Sequence, residues 1–313
     1  MTLLVTGARG WIGSALVQQA RAAGHGVRAA SRAGASAADD VAVGELGPDT
    51  DWAAALAGCH CVVHLAAQLD AGPAHAADPL ASFRAVNVAG SLSLARQAVQ
   101  AGVKRLVYVS SVKVNGEVTA AGRPFLHTDP PAPSGPYAIS KAEAESGLRE
   151  LARHSGLELV IVRPPLVYGP GVKANFAALL RAVRRGVPLP LAAVTHNRRS
   201  LVALDNLVSL LLSCATHPGA AGQTFLASDG EDLSTAELLR RMGQAVGRPA
   251  RLLNLPLPLL RGGAALLNKA EIAQRLLDNL QVDIAHTCST LGWIPPISLD
   301  EGLLRTAAAL PTP

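Results

Sequence analysis

The fold is decided near the start of the chain, by the stretch Leu3-Leu4-Val5-Thr6-Gly7-Ala8-Arg9-Gly10-Trp11-Ile12-Gly13. Its first three residues predict a short buried strand, and the three glycines follow in the spacing G-x-x-G-x-x-G. Apolar residues then recur at helical spacing as far as Gly24, which ends the predicted helix. A strand, a glycine turn and a helix in this order let the backbone approach a pyrophosphate at the positive end of the helix. The stretch therefore predicts a dinucleotide-binding site, the alternative being a tight turn without a ligand.

The residues after the second predicted strand, Val27–Ala30, indicate which dinucleotide binds. An acidic residue at this point accepts hydrogen bonds from the ribose hydroxyls of NAD. This chain has Ser31 and Arg32 instead, a hydroxyl and a guanidinium that suit a 2′-phosphate. We therefore predict NADP as the preferred cofactor and NAD as the alternative. The alternative that Arg32 is a solvated loop residue without a ligand remains open.

Strands and helices alternate from residue 3 to residue 163, which predicts an α/β fold with a doubly wound parallel sheet of the Rossmann type. The later strands are predicted at Val41–Val43, Cys61–Leu65, Lys104–Ser110 and Leu159–Arg163. A long helix is predicted over Leu80–Ala101 and carries Asn87, and His64 is predicted as a packed histidine. Ser110 and Ser111 end a predicted strand, and ligands bind at this edge of open parallel sheets.

Tyr137 and Lys141 are the strongest candidates for catalytic residues. On a helix, residues four apart share a face, about 6 Å apart along the axis. A free tyrosine ionises near pH 10, and a neighbouring ammonium would lower this pKa toward a useful range. The spacing Tyr-x-x-x-Lys thus predicts an acid–base pair, the alternative being an ordinary helix with a solvated lysine.

The composition of the chain excludes several other classes of protein. Of the 313 residues 49% are hydrophobic and 16% charged, which excludes wholesale disorder. The net charge of +5 comes from scattered arginines without a long basic run, which argues against nucleic-acid binding. The four cysteines match no zinc spacing, so we expect no metal and reduced thiols in the cytoplasm. We expect no signal peptide and no membrane partner, since prolines interrupt the apolar segment Leu252–Leu260.

Several motifs together resemble the extended short-chain dehydrogenase/reductases, and within them the sugar-nucleotide epimerase/dehydratase branch. They are the glycine turn, Asn87, Ser111, Tyr137 with Lys141, Arg163-Pro164-Pro165-Leu166-Val167-Tyr168-Gly169-Pro170-Gly171, and the closing segment Leu291-Gly292-Trp293-Ile294-Pro295. The resemblance covers nearly the whole chain. Shorter segments around Ser111, Asn175 and Arg198 look like a subgroup that contains UDP-glucose 4-epimerases and reductases of UDP-4-keto-6-deoxy-N-acetylhexosamines.

The resemblance implies roles for individual residues. Tyr137 would be the acid/base at the C4 oxygen of a sugar, with Lys141, Ser111 and Asn87 as its catalytic partners. Residues expected at the cofactor are Gly7, Arg9, Gly10, Trp11, Ile12, Gly13, Ser31, Arg32, Glu45, Leu46, Leu65, Ala66, Ala67, Tyr137, Lys141, Pro164 and Val167. Residues expected at the substrate are Lys113, Asn175, Arg198 or Arg199, and Asp283.

The resemblance also implies an architecture and a reaction. Residues 1–165 with about 196–227 would form the dinucleotide-binding Rossmann domain, and 166–195 with 228–313 a smaller C-terminal lobe for the sugar nucleotide. Because an acid is missing after the second strand, we predict NAD(P)H-dependent reduction of a UDP-4-keto-6-deoxy-N-acetylhexosamine. The alternatives are a UDP-hexose or N-acetylhexosamine 4-epimerase with retained NAD, and a non-catalytic NAD(P)-sensing regulator. A homodimer is expected on family grounds.

Overall fold

The computed structural model describes residues 1–32, 39–70 and 78–310. Its strands are β1 (Thr2–Thr6), β2 (Gly26–Ser31), β3 (Asp40–Ala42), β4 (Cys61–His64), β5 (Arg105–Val109), β6 (Glu158–Arg163), β7 (Leu166–Tyr168), β8 (Arg199–Ala203), β9 (Thr224–Leu226) and β10 (Asp232–Leu233). Its α-helices are α1 (Trp11–Ala22), α2 (Ala53–Leu56), α3 (Pro79–Phe83), α4 (Ser91–Gln100), α5 (Gly135–Ser155), α6 (Ala174–Arg185), α7 (Leu204–Thr216), α8 (Thr235–Ala245), α9 (Leu257–Leu266), α10 (Ala270–Leu277), α11 (Ala285–Leu291) and α12 (Leu299–Ala308).

The main sheet is parallel, with the strand order β3-β2-β1-β4-β5-β6-β9. The chain winds outward in one direction from β1 to β3 and in the other from β4 to β9. The reversal between β1 and β4 is the point where open α/β sheets bind ligands. The predicted doubly wound Rossmann sheet is confirmed.

Both faces of this sheet are buried, because alternate strand residues point to opposite sides. Leu3 and Val5 pack in a cluster with α1 and α7. Leu4 faces the other side and packs with α4 and α5. Small aliphatic side chains thus build two layers of core around the strands, in agreement with the low aromatic content of 3%.

The second half of the chain forms a smaller lobe around a three-stranded sheet of order β10-β8-β7. Its core joins side chains from α6, α8 and α12, among them Phe176, Leu239 and Leu303. Ser234 caps α8, because its hydroxyl accepts a hydrogen bond from the Glu237 amide at 3.1 Å. Residues 196–227 contribute β8 to the small sheet and β9 to the main one. The predicted domain boundaries therefore stay a prediction.

The helix predicted over Leu80–Ala101 is present but irregular. It consists of α3, a π-helical turn over Arg84–Gly90, and α4. A π-turn widens the backbone by one residue and often occurs at functional sites. The turn contains Asn87, whose side chain is consequently directed inward and is buried.

The helices after residue 256 have no counterpart in the sequence interpretation, which identified only the prolines and the closing segment. The four cysteines are free; Cys59, Cys61 and Cys214 are buried, whereas Cys288 is partly exposed. Among the described helices, none has the length and apolar content needed to cross a membrane.

Candidate active site

A cleft of about 1000 Å³ lies along the carboxyl ends of the main-sheet strands. All residues that the resemblance assigned to the cofactor line this one cleft, and so does Ser111. The sequence interpretation missed other lining residues, notably Gln68 and Asp70, and it placed Ser110 at this edge of the sheet without assigning it a role. Among the described residues, the Ser110 hydroxyl is buried without a hydrogen-bond partner. The position of Ser110 at the end of a predicted strand was the one available signal for it.

The glycine turn has room only for glycine at two of its three positions. Gly7 has φ 65°, and a Cβ on it would lie 2.9 Å from the Ala66 amide nitrogen. A Cβ on Gly13 would lie 2.2 Å from the Gly7 carbonyl oxygen. Gly10 is the N-cap of α1 and has no side chain to accept from the first-turn amides. These amides are therefore available to an anion at the start of the helix.

The far end of the cleft carries an ion pair between neighbouring turns. The Arg32 guanidinium lies 3.6 Å from the Glu45 carboxylate, and both side chains are mostly exposed. Both residues line the cleft, so any group bound here meets a cation and an anion together. This arrangement weakens the electrostatic case for a 2′-phosphate that rested on Ser31 and Arg32 alone.

Tyr137 and Lys141 both line the cleft from α5, which brings the predicted pair together. The buried Lys141 ammonium donates to the Val109 carbonyl at 2.7 Å and lies 4.0 Å above the Tyr108 ring. Burial lowers the pKa of Lys141 to about 7, and the Glu145 carboxylate opposes this effect.

The predicted lowering of the Tyr137 pKa is wrong for the protein without bound ligands. Burial raises the pKa of Tyr137 to about 12, because desolvation disfavours the phenolate. The Lys141 ammonium is directed at the Val109 carbonyl and the Tyr108 ring, which explains why its charge does not offset the burial of the phenol. Tyr137 is thus a proton donor in the protein as folded.

Asn87 is buried behind the residues that line the cleft. Its carboxamide accepts from the Gln68 amide at 2.8 Å and donates to the Gln68 carbonyl at 3.1 Å. It also donates at 3.1 Å to the Ser140 hydroxyl, which in turn donates to the Tyr137 carbonyl. Asn87 therefore ties the lining residue Gln68 to the first turn of α5.

His64 extends this network to β1. Its Nδ1 lies 2.6 Å from the Thr6 hydroxyl, and its Nε2 lies 3.0 Å from the Ser91 hydroxyl. The Ser91 hydroxyl donates to the Asn87 carbonyl, so it can accept only from a protonated Nε2. These partners fit the neutral imidazole, and burial together with the Lys141 charge lowers the pKa of His64 to about 3. The predicted packed histidine is confirmed.

The predicted substrate residues do not all lie together. A second cavity of about 470 Å³ is lined by Asn175, Arg199 and the cation Lys173, and it adjoins the first cleft at Val167. Arg198 is exposed and donates to carbonyls of its own loop, away from the lining of either cavity.

Two other predicted substrate residues have local partners. Lys113 pairs with Glu117 at 3.0 Å, and its amide donates to the Ser111 hydroxyl at 3.2 Å. The Asp283 carboxylate accepts from the Ala285 amide at the start of α11. Neither residue lines the cleft or the second cavity, so their binding roles stay predictions.

Arg275 also lines the second cavity, and sequence reasoning missed it. Burial, with a contribution from Arg275, lowers the pKa of Arg199 to about 10. Both guanidiniums line one cavity, although Arg275 also pairs with Glu271 at 3.3 Å and Arg199 donates to the Asp278 carbonyl at 3.0 Å. An anion in the cavity would add to these partners. No motif marks Arg275 in the sequence. Within the described part of the chain, no cluster of three metal-binding side chains occurs.

A Rossmann sheet whose cleft joins a glycine turn to Tyr137 and Lys141 defines the extended short-chain dehydrogenase/reductase class. The chain belongs to the NAD dependent epimerase/dehydratase family, whose sequence pattern matches residues 3–227. It is therefore an enzyme of the sugar-nucleotide epimerase/dehydratase type.

Particular relatives agree with this assignment. The UDP-glucose 4-epimerase of Vibrio cholerae is 45% identical over 311 residues, which cover 98% of this chain and 95% of that protein. The solved structure of MoeE5 in complex with UDP-glucose and NAD is 25% identical, with a TM-score of 0.76. The UDP-glucuronic acid 4-epimerase from Bacillus cereus in complex with NAD is 19% identical, with a TM-score of 0.79. Each of these two structures matches 99% of this chain and 98% of its own.

Proposed function

We propose that this protein interconverts the C4 epimers of a UDP-hexose or UDP-N-acetylhexosamine while keeping its dinucleotide bound. The observation that carries the proposal is that Val167 lines both cavities. The cleft with Tyr137 and the cavity with Arg199 and Arg275 therefore lie side by side, and we place the sugar in the first and the diphosphate in the second. The likeness to a UDP-glucose 4-epimerase at 45% identity favours this alternative over the predicted ketosugar reductase.

The second cavity suits the nucleotide diphosphate. Arg199, Arg275 and Lys173 supply positive charge to one space, and Asn175 adds a neutral hydrogen-bonding group. Guanidinium groups bind phosphates through paired N–H donors, so they fix orientation as well as attract charge. The sugar would then extend past Val167 toward Tyr137.

The chemistry at C4 needs a proton carrier beside the sugar oxygen. The residues that line the first cleft would hold the dinucleotide, which would supply reversible hydride transfer at C4 when bound. Tyr137 takes the proton from the C4 hydroxyl in the first half and gives it back in the second, so no proton is consumed overall. Ser111 holds the same oxygen by a hydrogen bond. Since burial raises the pKa of Tyr137 to about 12, its phenolate must gain stabilisation from Lys141 and the bound ligands before it can act as the base.

NAD is the cofactor we propose, in place of the predicted NADP. Glu45 places a carboxylate 3.6 Å from the Arg32 guanidinium at the end of the cleft where a 2′-phosphate would lie. MoeE5 and the Bacillus cereus UDP-glucuronic acid 4-epimerase, which share this fold, were each solved in complex with NAD. Chromatography of the dinucleotide released by heating the purified protein tests this assignment, and recovered NADP would overturn it.

The activity is tested by product analysis without added cofactor. UDP-glucose and UDP-N-acetylglucosamine are offered in separate reactions, and we expect the galacto epimer from at least one. UDP-4-keto-6-deoxy-N-acetylglucosamine with NADPH is offered in parallel. Reduction of that ketosugar with stoichiometric NADPH consumption, and no epimer from the other substrates, would establish the reductase instead. Bound dinucleotide without any turnover would favour the regulator.

A further inference from the structure

Helix α9 exposes apolar side chains that the proposed reaction does not use. None of its ten described residues is buried, although Leu257 and Leu260 rest partly on the core of the small lobe. Leu259 and Leu266 are exposed to 61% and 90%. They are seven residues apart and so share one face of the helix. We call Leu259 and Leu266 the leucine face; Leu253, before the helix, and Leu267, at its C-cap, are also exposed, to 56% and 68%.

Basic residues surround the leucine face in the sequence. Between residues 238 and 270 the chain has six arginines and lysines and no aspartate or glutamate, although the exposed Glu271 follows directly and Arg261 pairs with Asp278 at 2.6 Å. Arg240, Arg251 and Lys269 are exposed and make no ion pair with the described residues. Clusters of exposed apolar residues mark interaction surfaces, and the excess of positive charge here favours an anionic partner.

We infer that the leucine face docks on the surface of an anionic lipid bilayer. The leucines would enter the headgroup boundary, while Arg251 and Lys269 would contact lipid phosphates. A second copy of the chain fits less well. In a two-fold contact the same surface of both copies meets, so the positive charges of one copy would face and repel those of the other. The docking is peripheral, since a helix of ten residues is about 15 Å long and cannot span a bilayer.

The docked surface would lie next to the second cavity. Helix α10 follows α9 directly, and its residues Ile272 and Arg275 line that cavity. Binding at the leucine face would therefore keep the anion-binding cavity close to the bilayer surface.

Co-sedimentation with vesicles tests the inference on the full-length protein. One set of vesicles is phosphatidylcholine alone, and the other contains about one third phosphatidylglycerol, a fraction at which each nearby basic residue contributes measurably. We expect binding to the anionic set only, weakened by salt. The double variant Leu259→Ser/Leu266→Ser should bind at least tenfold less. The double variant Arg251→Gln/Lys269→Gln should lose binding to a similar extent.

Matched controls distinguish binding through the leucine face from nonspecific hydrophobic binding to vesicles. Ile294→Ser and Leu304→Ser remove leucine-sized side chains that are 77% and 52% exposed elsewhere on the lobe, and they should bind like the unmodified protein. All variants should keep their epimerase activity without vesicles, which shows that they fold. Absence of binding to anionic vesicles, or equal binding by the Leu259→Ser/Leu266→Ser variant, would overturn the inference. So would conversion of an oligomer to a monomer by that variant, which would make the face a contact between copies.

Discussion

The Glu145 carboxylate accepts two hydrogen bonds from the Arg163 guanidinium, at 2.9 and 2.6 Å, one helical turn beyond Lys141. Both side chains are 3% exposed, so the pair lies outside the reach of solvent. Asn115 accepts the remaining guanidinium bond at 3.0 Å. This pair fastens α5, which carries Tyr137 and Lys141, to the last residue of β6.

Replacing Glu145 by Gln should destabilise the protein strongly. The substitution leaves the buried Arg163 charge without its counter-ion, which typically costs about 3–5 kcal/mol in the free energy of unfolding. Urea unfolding at pH 7 measures the loss. The control is Glu150→Gln on the same helix, where the paired side chains are exposed and the expected loss is about 0–1 kcal/mol. Equal losses in the two variants would contradict the role given to the buried pair.

His64 should make the folded state sensitive to acid. Its pKa is about 3 when folded, and near 6.5 for an unperturbed imidazole. Between these values the unfolded chain binds more protons, so the free energy of unfolding falls as pH is lowered, by up to about 1.4 kcal/mol per pH unit from this residue. Urea midpoints at pH 7, 6 and 5 measure the slope. His64→Gln should be less stable at pH 7 but lose less on acidification, and a parallel slope would contradict the assignment.

Replacing Tyr137 by Phe should slow turnover by a factor of about 10² to 10⁴, because the only change is loss of the proton carrier. The ring packs edge-on against Phe83, with centroids 6.0 Å apart, so phenylalanine fits the site. Initial rates of epimer formation are compared at saturating substrate. The amount of dinucleotide retained by the variant should match that of the unmodified protein. An unchanged rate would exclude Tyr137 as the acid/base.

Replacing Gly13 by Ala should disrupt the dinucleotide site. The new Cβ would lie 2.2 Å from the Gly7 carbonyl oxygen, and neither backbone segment can move without distorting the turn. We expect lower thermal stability and no retained dinucleotide after purification. Gly263→Ala in α9 is the matched control, since a Cβ there meets open space. Removing glycine from a helix interior should stabilise the control by about 0.5–1 kcal/mol.

The cleft could be predicted from the sequence because short motifs specify it. The glycine turn and Tyr137 with Lys141 each act through local backbone geometry, which spacing along the chain reveals. The sheet was predictable for a related reason, since alternating strands and helices allow few arrangements.

The second cavity could not be predicted in the same way. It depends on how α10 packs beside β8, and the cation Arg275 has no motif around it. The pKa of Tyr137 was also beyond the sequence, because it depends on burial of the phenol and on where the Lys141 ammonium is directed. Spacing predicted that the two side chains share a face, but not the environment of that face.

The two adjacent arginines of β8 and its preceding loop provide the sharpest test of the second cavity. Arg199→Gln and Arg275→Gln each remove a cation that lines it, whereas Arg198→Gln removes an exposed one that does not. A hydrogen bond to a charged group contributes about 1.5–3 kcal/mol, so each of the first two variants should raise KM for the UDP-sugar by about 10- to 100-fold. Retained dinucleotide should not change, because neither residue lines the first cleft. Arg198→Gln should leave KM within about twofold, since exposed charges contribute little. If Arg198→Gln raises KM as much as Arg199→Gln does, the phosphates bind at the loop surface and the proposed path past Val167 is wrong.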